Sequence, residues 1–168
     1  KAWLRNKGRG CVEGCTGYGK TRIGLNAIER VRTKYPNLSV IVVVPTDVLK
    51  GQWTKQLDER GLGLNSKVSI INTASKHIDQ CDLLILDEIH KFAADEFSHV
   101  FKTVKYKLIL GLTATIERLD GKHELLKHYC PVVDTVPIEV AKANGWVADY
   151  TEYQVIITAE DIDNYRQY

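Results

Sequence analysis

Methionine is absent from the 168 residues, and there are only 4 prolines and 4 cysteines. With no start residue, the chain is expected to be a piece cut from a longer protein. Long apolar runs are missing as well. The stretch Val40 to Val44 falls far short of the roughly 20 residues a bilayer span needs. No signal peptide is visible, so no membrane partner is expected. Cys11, Cys15, Cys81 and Cys130 form no C-x-x-C and no Cys/His set with zinc spacing. His123 and His128 fall on different faces of any helix that carries them. Free cysteines and surface histidines are therefore expected. An excess of one charge is also lacking, the net charge being +2. Composition does not announce a nucleic-acid binder; such contacts must come from local placement, at helix N-termini and backbone amides. The 44% hydrophobic and 26% charged content is ordinary for a globular chain of about one domain.

Two short segments carry chemistry. Gly14-Cys15-Thr16-Gly17-Tyr18-Gly19-Lys20-Thr21 fits G-x-x-x-x-G-K-[ST], a loop whose backbone N–H groups wrap nucleotide phosphates. Lys20 is placed to reach the β- and γ-phosphates, and Thr21 to offer a hydroxyl to Mg²⁺. Asp87-Glu88-Ile89-His90 ends the apolar run Leu83 to Leu86, putting two carboxylates at the mouth of a buried strand. Asp87 would complete the Mg²⁺ site with Thr21, and Glu88 would orient the attacking water or take its proton. His90, two residues on, is placed to couple. A bare glycine turn and a solvated acidic loop are the bland alternatives; together the two segments specify chemistry on a nucleoside triphosphate.

The elements around them alternate. Gly10 to Glu13 reads as a strand feeding the loop, and Ile23, Ala27, Ile28 and Val31 as the helix after it. Leu38 to Val44 reads as a strand buried on both faces. Pro45 ends it, Thr46 or Asp47 caps the next helix, and Leu49, Trp53 and Leu57 mark that helix's inner stripe, which stops at Gly61. Further strands are expected at Lys67 to Ile71, Asp82 to Leu86, Leu108 to Thr113 and Pro131 to Val136, with a helix over Asp95 to Val104 that turns Phe97, Val100, Phe101 and Val104 inward. This pattern predicts an α/β fold, a mainly parallel sheet flanked by helices on both faces. Ligands bind such sheets at the carboxyl ends of the strands, where both chemical segments lie. Beyond Trp146 the composition shifts; a strand is expected at Tyr150 to Ile157 and a helix start at Glu160-Asp161.

At this level of detail the chain resembles the first RecA-like lobe of a superfamily 2 helicase or translocase of the DExH type. The phosphate loop is similar to motif I and Asp87 to His90 to motif II. Pro45-Thr46-Asp47-Val48-Leu49-Lys50-Gly51-Gln52-Trp53 resembles motif Ia, Asn72-Thr73-Ala74 a further strand-contacting motif, and Gly111-Leu112-Thr113-Ala114-Thr115 motif III. The blocks stand in family order. DEAD-box RNA helicases carry Asp where His90 stands and Ser-Ala-Thr at motif III, and chromatin-remodelling relatives carry Gly-Thr-Pro; this chain has neither. It looks more like the excision-repair translocases and the phage recombination or branch-migration helicases. Its later segment Val140 to Trp146 with Tyr150 is similar to the same group. The repair enzymes' Arg-Glu-Asp triplet is here Arg118-Leu119-Asp120, without the central acid.

The resemblance implies ATP and Mg²⁺ as cofactors and a nucleic acid, DNA rather than RNA, gripped through its backbone by Pro45, Thr46, Gln52, Trp53 and Thr73. A plain amphipathic helix with Trp53 in the core is the structural alternative. Thr113 and Thr115 would relay the nucleotide state through His90. Residues 1–148 would form the ATP-binding lobe, and residues 149–168 a linker toward a second RecA-like lobe that carries motifs IV to VI and the arginine fingers. The segment that reads adenine would precede Lys1. An intracellular setting, cytoplasm or nucleoid or nucleus, is implied too. Two other classes stay open: a P-loop ATPase acting on another kind of partner, and a regulatory lobe that binds nucleotide without catalysis.

Overall fold

The computed structural model describes residues 1–15, 17–74, 76, 79–91, 94–114 and 128–147. The expected strand after Tyr150, the helix start at Glu160 and the linker 149–168 lie outside the described residues, as do Thr16, Thr115 and Arg118 to Asp120.

Six strands build one sheet: β1 (Arg9–Gly14), β2 (Val40–Val44), β3 (Ser66–Ile70), β5 (Leu83–Asp87), β7 (Leu108–Thr113) and β8 (Val132–Val136). Their spatial order is β3-β2-β5-β7-β1-β8, and every neighbouring pair is parallel. A parallel sheet aligns all its carboxyl ends on one edge. The ends of β1, β2, β5 and β7 hold the residues singled out above. Two short strands, β4 (Asp79–Gln80) and β6 (Val104–Lys105), pair separately.

Burial on both faces explains the apolar runs. Each residue of β2 and β5 is buried, and alternate side chains feed two cores, as the two-residue strand period requires. Val40, Val42, Val44, Leu83 and Ile85 point into one, with Leu25, Ile28 and Val31 of α2 (Lys20–Arg32) and with Trp53 and Leu57 of α3 (Asp47–Glu59). Ile41, Val43, Leu84 and Leu86 point into the other, with Ile71 and Ala74 of α4 (Ile71–Ala74) and Val100 of α5 (Ala94–Thr103). Burying a side chain of this size stabilises by about 1.5–3 kcal/mol, so the helices are held by packing more than by propensity.

Several expectations shift at the edges. Ile71 opens α4 instead of ending β3; its β-branched side chain reads as strand, but it is buried from the helix. Val104 is buried in β6, one residue past α5. Thr46 is the N-cap of α3, its hydroxyl accepting the Leu49 N–H at 3.3 Å. Two elements had no sequence signal strong enough to predict them: α1 (Ala2–Arg5) and α6 (Ile138–Ala143). The first is pinned by Trp3, which is buried and donates its indole N–H to the Ile109 carbonyl at 2.7 Å. All four cysteines are free. No helix among the described residues is long and apolar enough to cross a membrane.

Arg32, in the last turn of α2, ties the segment before β3 to the body. Its guanidinium donates to the carbonyls of Leu62 at 2.9 Å, Leu64 at 2.7 Å and Leu38 at 3.2 Å, and to Ser66 Oγ at 3.0 Å. Replacing it with leucine strands these acceptors, an expected loss of about 2 kcal/mol. For a domain of this size that lowers Tm by about 4–8 °C, readable by thermal melting. Arg32→Lys is expected to recover little, because a single ammonium cannot serve acceptors spread around a planar fork.

Candidate nucleotide and nucleic-acid site

The loop between β1 and α2 is shaped by its glycines. Gly17 and Gly19 have φ of +83° and +97°, the left-handed region that glycine enters without a side-chain penalty. Nothing lies within 4 Å of where a Cβ would stand at either. Backbone N–H groups and the N-terminal dipole of a 13-residue helix meet there, a ready anion site. Tyr18 lies over Gly14, where an added Cβ would come within 2.5 Å of its ring. The same ring meets Trp146, with ring centroids 5.9 Å apart.

Lys20 is the first residue of α2 and only 7% exposed. Its Nζ donates to the carbonyls of Gly14 and Cys15, each at 3.3 Å, and sits 3.6 Å from Glu88 Oε1. Those contacts hold the ammonium over the loop. Thr21 follows within the first helical turn and is half-buried.

Asp87 ends β5 and is 2% exposed. Burial pushes its carboxyl above the usual range, and the neighbouring Glu88 adds to that; the Trp53 indole, the Glu88 backbone N–H and Lys20 pull the other way. Both oxygens are engaged: Oδ2 accepts the Trp53 indole N–H at 2.7 Å, and Oδ1 accepts the Glu88 backbone N–H at 3.0 Å. Glu88 stands at φ +51°, a conformation that costs a residue with a side chain about 1 kcal/mol and recurs at functional sites. The turn brings its carboxylate back over Lys20. Its Oε2 is buried without a hydrogen bond, with His90 Nδ1 at 3.4 Å. His90 Nδ1 also lies 2.9 Å from the hydroxyl of Thr113, the fully buried last residue of β7.

The donor set suits a hard cation. A carboxylate and a hydroxyl beside a phosphate cradle are what Mg²⁺ uses, since it keeps several waters and takes few protein ligands. No cluster of three or more His, Cys, Asp or Glu that would make a protein-only metal cage occurs among the described residues.

The structure therefore brings Gly14, Cys15, Gly17, Tyr18, Gly19, Lys20 and Thr21 together with Asp87, Glu88, His90 and Thr113. The residues expected to grip nucleic acid divide. Thr46, Gln52 and Thr73 are exposed and Pro45 half-buried, all beyond the ends of β2 and β3. At about 4.8 Å per strand, this stretch starts some 10–20 Å along the same edge from the phosphate loop. Trp53 is corrected: it is 0% exposed and offers no surface to a nucleic acid. The Leu49, Trp53, Leu57 stripe was the signal for its place in the core. What the stripe could not show was its polar partner, Asp87.

The sequence family described as "Type III restriction enzyme, res subunit" matches residues 1–80 and 63–118. The DNA 3'-5' translocase XPB2 of Sulfurisphaera tokodaii is 31% identical over 141 residues, 74% of this chain and 31% of that protein. An African swine fever virus protein, whose assigned name is that of an ATP-dependent RNA helicase, is 29% identical over 164 residues, 83% of this chain and 31% of that protein. The chain thus spans about a third of the length of these curated relatives. Among solved structures, the Hef helicase domain of Pyrococcus furiosus superposes with a TM-score of 0.63 at 18% identity, over 83% of this chain and 38% of that one. That likeness speaks for the fold, a RecA-like lobe. The chain belongs to the family described as type III restriction enzyme, res subunit, and carries the first RecA-like lobe of the superfamily 2 helicases.

Proposed function

We propose that this chain is the ATP-binding lobe of an ATP-dependent DNA helicase or translocase, in which hydrolysis at the interface with a second RecA-like lobe drives movement along a strand or its separation. The observation that carries the reading is the convergence of Lys20, Asp87 and Glu88 over an open glycine loop, with His90 joined to Thr113 beside them. In this reading Lys20 and the loop amides bind the phosphates, and Thr21 and Asp87 hold Mg²⁺. When bound, Mg²⁺ would supply neutralisation of the phosphate charge. Glu88 orients the attacking water and takes its proton. Thr113, through His90, senses whether Glu88 is so engaged; Thr115 is assigned the same duty. Pro45, Thr46, Gln52 and Thr73 form the strand-contacting surface, which positions without reading sequence.

DNA is favoured over RNA by the forms of motifs II and III and by the translocase among the relatives. An arginine finger from a second lobe contributes about 10³ to 10⁵ in rate, or roughly 4–7 kcal/mol of barrier. Residues 1–168 alone are accordingly expected to bind nucleotide and hydrolyse it slowly. Calorimetric titration with ATP and Mg²⁺ tests the nucleotide site. Competition between labelled single-stranded DNA and RNA of one sequence, using the protein with its second lobe at low salt, tests the strand surface. No binding of either strand would leave an ATPase with another kind of partner; preference for RNA would overturn the DNA assignment.

A further inference from the structure

The hydrogen bond from Trp53 to Asp87 joins two segments that the proposed function uses for different purposes. Trp53 belongs to α3, the helix that begins just after β2, with exposed Thr46 as its N-cap and exposed Gln52 in its second turn. Its indole is 0% exposed and donates to the carboxylate at the end of β5, with Nε1 to Oδ2 at 2.7 Å. The far rim of the same ring fills the space beside Gly24, where an added Cβ would stand 2.5 Å from Cη2. Gly24 lies one turn after Lys20 in α2. One rigid plate is thus clamped between the helix of the phosphate loop and the helix of the strand surface, with its only polar atom on Asp87.

A tryptophan used merely as core filler has no need of this geometry. Phenylalanine or leucine fills space without a donor that must be satisfied, and a buried indole N–H without a partner is costly. The carboxylate gains more than a partner. Asp87 Oδ1 is already taken by the Glu88 N–H at 3.0 Å, so the second bond to Oδ2 fixes the plane of the group as well as its position. Each oxygen keeps one lone-pair sector for a further partner. Donors that hydrogen-bond a metal's ligand from behind set that ligand's orientation, and their loss typically costs 10–100-fold in metal affinity.

We infer that Trp53 is a positioning residue for the metal: its indole N–H holds the Asp87 carboxylate in the orientation that receives Mg²⁺. The inference rests on the nucleotide-binding reading above, and makes a demand that the reading alone does not. In Trp53→Phe the ring stays and the donor goes. Affinity for ADP without metal should remain within about twofold of the parent chain, while the Mg²⁺ concentration that half-saturates the tightening of ADP binding should rise about tenfold. Calorimetry on residues 1–168 reads both, with no dependence on turnover.

A second measurement needs no substitution at position 53. Of the three tryptophans, Trp53 alone donates to a carboxylate among the described residues. Its indole ¹⁵N–¹H resonance, assigned by substituting Trp3 and Trp146 singly, should shift when Mg²⁺ is added to the ADP-bound chain and stay within line width when EDTA replaces Mg²⁺. An unchanged Mg²⁺ midpoint in Trp53→Phe, an equal loss of affinity with and without metal, or an indole resonance indifferent to Mg²⁺ would each overturn the inference. A parent chain that binds no ADP under either condition would instead overturn the nucleotide-binding reading on which it rests.

Discussion

Replacing Lys20 with alanine is expected to weaken nucleotide binding by about a hundredfold or more, roughly 2.7 kcal/mol. The ammonium stands on the first residue of α2, tethered by the Gly14 and Cys15 carbonyls at 3.3 Å. From there it faces the open side of a loop whose glycines leave room for phosphates. Charge-assisted hydrogen bonds are worth about 1.5–3 kcal/mol each, and a β,γ-phosphate pair offers at least two acceptors. Alanine removes these and the ion pair that holds Glu88 at 3.6 Å. Two effects then add: phosphates lose a cation, and the acid nearest them loses its counter-charge. Lys20→Arg separates the two, because it keeps the charge but brings a planar fork where a compact ammonium fits between converging carbonyls. It is expected to restore the fold's stability without restoring affinity. Calorimetry with ATP and Mg²⁺ reads the outcome; affinity within about threefold of the parent in Lys20→Ala would remove this residue from the phosphate site.

How much of this could be read from the sequence differs by kind of residue. The runs Val40 to Val44 and Leu83 to Leu86 announce parallel strands because a strand buried on both faces leaves no polar alternation, and both prove fully buried. The phosphate loop is legible because its chemistry is local: glycines, a lysine and a helix start, all within eight positions. Asp87 and Glu88 were placed by the strand before them. Local signals stop there. Ile71 looks like strand and forms helix, since its propensity yields to packing under the sheet. The four-residue α1 has no periodicity to show; the contact that fixes it joins Trp3 to Ile109, 106 positions apart. The Trp53 bond to Asp87 spans 34 positions and joins a residue read as surface to one read as metal ligand. The stripe that marks Trp53 as core carries no information on which polar group its N–H meets. The assignment to nucleic acid erred there because a motif names a segment, while burial is decided residue by residue.

Glu88→Gln is expected to leave nucleotide binding within about twofold and to reduce hydrolysis by about 10² to 10⁴, the usual share of general-base catalysis. The substitution keeps shape and length, so the left-handed turn at φ +51° and the bond of the Glu88 N–H to Asp87 Oδ1 persist. What goes is the charge and the capacity to take a proton. Its Oε1 is 3.6 Å from Lys20 Nζ, while Oε2 is buried without a hydrogen bond, with His90 at 3.4 Å. A water beside the γ-phosphate would satisfy that oxygen; with Lys20 beside the other position, glutamine would turn its NH2 group there and accept no proton. His90 Nδ1 lies 2.9 Å from Thr113 Oγ1, which suits a role in holding Glu88 more than one as base. His90→Ala should therefore cost less in single-turnover rate than Glu88→Gln, and weaken the response of that rate to added DNA. Both measurements require the protein with its second lobe, where the chemical step is fast enough to resolve. Single-turnover hydrolysis by Glu88→Gln within about twofold of the parent would pass the role of base to another group. The convergence of Lys20, Asp87 and Glu88 would then mark a site for holding the nucleotide only.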